Sequence, residues 1–582
     1  MNKKRISSLL IILMFCVFTK TLPQTRPVVS LSYNRFYSYE EITQILKDLE
    51  KKYPRFLHLQ SIGKSSLNRD IWLMTVNNPE TGDEMTKAAM YIDGNIHGNE
   101  VQGSEVVIYT IDYLMTNYGR IDKVTDLVDK RVFYMIPMVN PDGRAHWFDK
   151  KKYSGSARSG MKPTDNDNDG LFDEDGCDDL DGDGQILLMR KKVKYGRYRI
   201  SKEDPRIMEE VPPGEVGDYE ILGREGIDND GDGLINEDGA GGYDMNRNWP
   251  EDWQPPYVQY GSGNYPLSYP ETRSIANFIL DHPNIAGVQS YHNSGGMILR
   301  GPGSKEQGPY PWSDQMVYDY IGKKGEEILP FYRYIVIWKD LYPVHGGFVN
   351  WTAEGLGIFS FTNELWSSRQ YYNRKPEQQN EDGMFSRGRR SEVDRLKFDD
   401  LLEMGARFIE WKPFHHPVYG DIEIGGWVRE TGRVPPPFML EELCHRNALF
   451  TLFHAEQMPL VNIDTVEVSK IGSNSYRVLV TVANRRVIPT ISTLASNKRV
   501  VRPDIVSVEG KNIKVVSAGI VFDKWLSDVS IIKNRPERVL LKDGIAGNRT
   551  RTIQFVISGS GRARVRLDCI KGGRDEKTIY LK

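Results

Sequence analysis

Apolar positions along the first four hundred residues fall into two alternating patterns. Short, mainly apolar runs at 71–76, 88–92, 132–139, 285–291 and 357–362 read as buried strands. Residues 40–53 and 101–114 instead space their apolar side chains for a helix, as at Val107, Ile108, Ile111 and Leu114. Such strands, alternating with helices, predict an α/β unit over 30–413: a mixed, mainly parallel sheet flanked by helices on both faces. The spacing predicts a last helix of this unit over 398–411. A connecting segment, 414–460, carries a further helix at 441–456. Beyond it the period changes to two. Runs at 476–482, 552–557 and 562–567 alternate polar and apolar residues, with Gly and Ser turns between them. Residues 461–582 therefore read as an all-β sandwich domain.

Three of the predicted strands lead into residues that can bind a metal or move a proton. His97 and Glu100 follow the run at 88–92, His292 follows 285–291, and Glu364 lies two residues past 357–362. In a parallel sheet those ends share one edge, where ligands bind. A His-x-x-Glu pair alone is a weak signal, since a lone histidine there is usually satisfied by backbone and a lone glutamate by an ion pair. Together, two imidazoles and a carboxylate leave a fourth position for water, as in a catalytic zinc site. Glu364 is the candidate base.

Five segments in order complete the pattern: His97-Gly-Asn-Glu100, Asn140-Pro-Asp-Gly143, Asp244-Met-Asn246-Arg247-Asn248-Trp249, Ser290-Tyr-His292 and Phe361-Thr-Asn-Glu364-Leu. With them, residues 30–413 resemble the zinc metallocarboxypeptidase family, whose best-known members are the pancreatic carboxypeptidases. The resemblance implies a carboxypeptidase-like fold, with His97, Glu100 and His292 as zinc ligands and Glu364 as general base. It implies that Asn246 and Arg247 clamp the substrate's terminal carboxylate, a task suited to a planar guanidinium. Tyr342, ahead of Gly346-Gly347 and Trp351, matches the tyrosine that closes over substrate; a packing aromatic is the plainer alternative. Val349 matches the floor of the terminal side-chain pocket, and an apolar floor suits an uncharged, apolar residue. The family also uses an arginine against the tetrahedral oxyanion. An insertion blurs that match: Arg190 fits the local pattern best, with Arg158 and Arg144 as competitors. Asn99 departs from the pattern, since pancreatic members carry a substrate-contacting arginine there.

The insertion, at about 160–240, contains three aspartate-rich runs. Asp165, Asp167 and Asp169 precede Gly170; Asp179, Asp181 and Asp183 precede Gly184; Asp228, Asp230 and Asp232 precede Gly233. Oxygen donors at alternate positions, followed by a turn glycine, begin a calcium loop. None has the closing Glu at position twelve, so these are not ordinary helix-loop-helix hands; Asp173, Asp175 and Asp238 are the later ligand candidates. A solvated acidic loop is the alternative. Ten acidic residues and no basic one between Asp165 and Asp183 would repel one another without a cation. Structural calcium is therefore expected, with an indirect effect on Asn246 and Arg247.

The start of the chain, 1–24, joins Lys3, Lys4 and Arg5 to a short apolar run, which reads as an export signal. Cys16 lies within it, and Cys177, Cys444 and Cys569 leave three possible pairings. No later run is long enough for a membrane span, and a net charge of −3 argues against a general nucleic-acid binder. The expected protein is an exported, secreted or periplasmic, zinc-dependent carboxypeptidase acting on peptides or proteins with a free C-terminal carboxylate. Its C-terminal domain is available for contact with a surface or another protein. Two alternatives stay open: a peptidoglycan-peptide hydrolase of the same family, and a calcium-dependent binding protein with an inactive peptidase domain.

Overall fold

The computed structural model describes residues 31–149, 158, 160, 161, 163, 165, 169–237, 241–367, 389–430, 433–523 and 525–582. The expected leader, Asp167 and Asp238 lie outside them. Strands β1 (Leu57–Lys64), β2 (Asp70–Val76), β3 (Ala88–Gly94) and β4 (Arg131–Ile136) precede the insertion. The insertion holds β5 (Leu188–Gly196), β6 (Tyr198–Ile200), β7 (Met208–Glu210) and β8 (Gly217–Arg224). After it come β9 (Ile285–Asn293), β10 (Met297–Arg300), β11 (Arg333–Val336), β12 (Phe359–Leu365), β13 (Phe408–His416) and β14 (Gly420–Trp427).

The main sheet has eight strands in the order β1-β2-β4-β3-β9-β12-β10-β11. Its centre, β4-β3-β9-β12, is parallel. Every residue of β3, β4 and β9 is buried, which is why these strands read as mainly apolar runs without polar alternation. Helices Tyr39–Lys52, Gln102–Asn117, Trp312–Ile328 and Leu440–Gln457 cover one face of the sheet. On the other face lie helix Pro270–Asp281, Trp249, Phe348 and Trp351. The first helix is fixed at its start by a capping box, Ser38 with Glu41.

The turn bearing His97 is held by close backbone approach. A Cβ on Gly98 would lie 2.9 Å from the Gly143 Cα, so the His97 turn and the Asn140-Pro-Asp-Gly143 turn touch where no side chain fits.

Residues 398–416 differ from expectation. The helix there is Arg389–Phe398, and after one wider turn the chain reverses at Met404 (φ 58°) and Gly405 (φ 72°) and enters β13. Phe408 and Trp411 match a helical spacing, but the left-handed pair ends the helix before them. Strands β13 and β14 then join the insertion in a six-stranded sheet, β13-β14-β5-β8-β6-β7. The segment expected only to connect thus completes one sheet with β14 and covers another with helix Leu440–Gln457.

Between Val461 and Leu581, five- and four-stranded antiparallel sheets enclose a separate core around Val478, Val480, Phe555 and Val565. This sandwich docks on the first unit through buried polar contacts. Just before the sandwich begins, Arg131 donates to the Met458 and Pro459 carbonyls at 2.5 and 2.8 Å and holds the end of the connecting segment. Lys571, 6% exposed, donates through Nζ to the Leu356 carbonyl at 3.0 Å.

Burial pulls the Lys571 pKa down to about 7. In the unfolded chain the group titrates near its ordinary value of about 10.4. Between these values unfolding takes up a proton, so this lysine makes the fold more stable as pH rises. A Lys571→Met variant should lose on the order of 2–3 kcal/mol of the gain in unfolding free energy between pH 7 and 9.5. Urea titrations of both proteins at the two pH values check this; parallel pH dependences would refute it.

Candidate functional site

Register builds the site. His292 on β9 pairs directly with Glu364 on β12, and Gly94 at the end of β3 pairs with Tyr291. Three residues past Gly94, the turn brings His97 and Glu100 to the same edge. His97 Nδ1 lies 3.0 Å from Glu100 Oε2, His292 Nδ1 lies 2.9 Å from that oxygen, and the two Nδ1 atoms are 3.2 Å apart. All three residues are buried.

The donor set fits zinc. A tetrahedral ion with ligands at about 2.1 Å holds them about 3.4 Å apart, close to the observed triangle. The far nitrogen of His97, Nε2, meets Asp244 Oδ1 at 3.0 Å, a contact of the kind that orients a histidine with its other nitrogen toward a metal. Burial works against the Glu100 charge, but the His97 and His292 imidazoles outweigh it and hold this carboxyl well below the usual range. Asp244 is likewise held low: burial is overcome by His97, Arg247 and Arg158. Glu364 goes the other way. Burial and the Glu100 charge push it up to about 7, against His292, Arg158 and Arg433. A carboxyl with that affinity for protons suits a group that takes one up and releases it.

A cleft opens beside this cluster, lined by Arg158, Asn246, Arg247, Tyr342, Val349 and Glu364 among others. Asn246 is anchored at both ends: its N–H donates to Asp244 Oδ1 at 2.8 Å, and its Oδ1 accepts from the Phe348 N–H at 2.9 Å. Arg247 Nη1 donates to the Asn246 carbonyl at 2.8 Å. Val349 is buried in the cleft wall, and Tyr342 stands 41% exposed at its rim.

Arg190 is not in this cleft. It lies on β5, where its Nε donates to Glu423 Oε2 at 2.8 Å and its guanidinium stacks over Trp411 at 4.2 Å. Its position is set by the pairing of β5 with β8 and β14, which local spacing around the insertion does not reveal. Arg144 is fully buried in an ion pair with Glu105 at 2.6 Å. Of the three candidates for the oxyanion role, Arg158 lines the cleft: Nε donates to Asp244 Oδ2 at 2.9 Å, and Nη1 lies 3.4 Å from Glu100 Oε1. Sequence reasoning weighed Arg158 but missed two partners. Asp244 sat in a quoted motif without a role. Arg433, 333 residues after Glu100, reaches Glu100 Oε1 at 3.3 Å with no signal in its surroundings to announce it.

Of the acidic runs, Asp179, Asp181 and Asp183 gather carboxylate oxygens within 4.8 Å of one another, and so do Asp228, Asp230 and Asp232. Asp165, Asp169 and Asp173 are described, but Asp167 is not, so the first run lies partly outside the described residues.

The family model described as "Zinc carboxypeptidase" matches residues 42–185 and 218–383, more than half of the chain. A model of a domain of unknown function matches 460–580. Human (Homo sapiens) carboxypeptidase D is 29% identical over 141 residues, which is 24% of this chain and 10% of that protein. Mouse (Mus musculus) carboxypeptidase M is 32% identical over 117 residues, 20% of this chain and 26% of that protein. The chain thus spans about a tenth to a quarter of the length of these relatives. A crystal structure of thrombin activatable fibrinolysis inhibitor aligns with a TM-score of 0.43 at 16% identity, over 74% of this chain and 76% of that one. A carboxypeptidase A from Helicoverpa armigera aligns at 0.43 and 17%, over 73% and 74%. On the extent of the family match, the chain belongs to the zinc carboxypeptidase family.

Proposed function

We propose that this chain hydrolyses the last peptide bond of peptides or proteins, with His97, Glu100 and His292 holding zinc. The observation that carries the reading is the meeting of these three ligand atoms beside a second carboxyl group, Glu364, in register with His292. Zinc, when bound, acidifies a water and polarises the scissile carbonyl. Glu364 takes the water's proton and hands it to the leaving amine. Arg158, rather than Arg190, faces the developing oxyanion from the cleft wall. Arg247 pairs with the substrate's terminal carboxylate, and Asn246, fixed by Asp244 and Phe348, presents its side chain alongside. Val349, with Leu299 and Ile337 in the same wall, favours an uncharged, apolar terminal side chain. Tyr342 closes over the bound residue. Export rests on the pattern of 1–24, and no described helix is long and apolar enough to cross a membrane.

Two variants test this. Glu364→Gln should lower kcat by about 10²–10⁴-fold while zinc content stays at the parent level. Retained turnover would remove Glu364 from the base role. Arg247→Ala should cost about 10–100-fold in kcat/KM on a peptide with a free C-terminus, the size of a lost charge-assisted pair. On the same peptide amidated at its end, the variant and the parent should be nearly equal. A full effect on the amide would place Arg247 outside the carboxylate clamp.

Calcium at the aspartate runs is part of the same reading. Asp175, fully buried, accepts from the Asn236 N–H at 2.9 Å and the Asn229 Nδ2 at 2.9 Å, tying the first and third runs together. Glu225 accepts from the Leu180 and Leu187 N–H groups at 3.1 and 2.6 Å, tying the second run to the end of β8. Bound cations would relieve the repulsion that such crossed loops concentrate. Removing calcium with a selective chelator, at saturating zinc, should lower Tm by several degrees and raise KM more than it lowers kcat. An unchanged melting curve and unchanged KM would discard structural calcium.

A further inference from the structure

We propose that Arg433 positions the Glu100 carboxylate for the metal, so that a segment beyond the family-matched region completes the site; this rests on the zinc reading above. The two oxygens of Glu100 are divided between two tasks. Oε2 faces both imidazole Nδ1 atoms, at 3.0 and 2.9 Å. Oε1 meets Arg433 Nη2 at 3.3 Å and Arg158 Nη1 at 3.4 Å. A carboxylate gripped by one oxygen offers the other in a fixed direction. Partners of this kind orient the ligands of a metal site.

The two arginines are not equivalent. Arg158 lines the cleft that substrate enters. Arg433 is seated instead on the elements that carry the ligands. Its Nη2 donates to the Asn293 carbonyl at 2.9 Å, next to His292. Its own carbonyl accepts from Asn293 Nδ2 at 2.6 Å and from Gln102 Nε2 at 3.1 Å. Asn293 ends β9, and Gln102 opens the helix that follows Glu100. Val434 buries the next link against Val101 and Trp147. Arg433 therefore keeps its grip on Oε1 while Arg158 is engaged elsewhere. The residue lies outside 42–383, the span matched to the family.

The charge of Arg433 also repels a divalent cation, so the sign of its effect discriminates. Zinc affinity of the full chain is measured by competition with a chromophoric chelator, for the parent, Arg433→Ala, Arg433→Lys, Val434→Ala and His97→Ala. Arg433→Ala should bind zinc about 10–100-fold more weakly, the usual cost of losing an outer partner. Arg433→Lys should fall between it and the parent, and Val434→Ala, which disturbs the same segment but keeps the guanidinium, should stay near the parent. Zinc bound by Arg433→Ala as tightly as by the parent, or more tightly, overturns the proposal. So does an equal loss in Val434→Ala, which would mean that displacement of the segment is responsible. If Arg433→Ala fails to fold, as judged by circular dichroism, Arg433→Lys decides: weakening of several-fold supports the proposal, and parental affinity overturns it. His97→Ala separates the two readings, because zinc binding unaffected there sinks the metal site itself.

Discussion

Three buried ionisable side chains with ligand atoms within about 3 Å of one another are a costly thing to assemble. Each carboxylate or imidazolium removed from water carries a desolvation cost of several kcal/mol unless it is paired. The molecule answers with a charge lattice. Glu100 lies between His97 and His292 on one oxygen and Arg158 and Arg433 on the other. Asp244 holds the far side of His97 and is itself held by Arg158. No single contact here is strong enough to fix the cluster. The arrangement is stable because each oxygen of Glu100 has two partners, and because the strands that carry the cluster are fixed in register. A one-residue slip of β12 against β9 would send Glu364 to the opposite face of the sheet.

That dependence on register explains which parts were legible in the sequence. That His97, Glu100, His292 and Glu364 meet could be read because each lies at or just past a mainly apolar run, and parallel strands end together. Asn246 and Arg247, the proposed clamp, were readable only as a motif, since Met245–Arg247 is a single short turn with no periodicity of its own. Arg190 misled because its local surroundings match while its sheet does not. Its fate is decided by hydrogen bonding of β5 to β14, more than two hundred residues away in the chain. Arg433 and Lys571 carry no local pattern at all. Each is defined by what a distant segment brings beside it, which is information that spacing does not contain.

The misread stretch at 398–411 follows from a competition within the chain. Apolar residues at Leu401, Leu402, Phe408 and Trp411 offer a helical face. Leu401 and Leu402 are nevertheless exposed, whereas Phe408 is buried beside Trp427. Met404 and Gly405 in the left-handed region stop the helix, and β13 then gains a full antiparallel partner in β14. Sheet pairing with burial of Phe408 outweighs a few residues of helix propensity, which is worth only tenths of a kcal/mol per position.

The same pairing has a consequence for the site. Because β14 bonds to β5, the insertion is attached to the chain that leads, within a few residues, to Arg433. At its other end the insertion runs into Asp244, whose carboxylate supports His97 and the Asn246 N–H. The acidic loops therefore adjoin the buried cluster by two routes, one along the chain to Asp244 and one through the hydrogen bonds of β5 with β14 to the segment that carries Arg433. An ordered insertion restrains both routes at once, whereas a loosened one would free both without touching His97, Glu100 or His292. Such coupling requires no change in the cleft lining, only a change in how firmly two carboxylates are held.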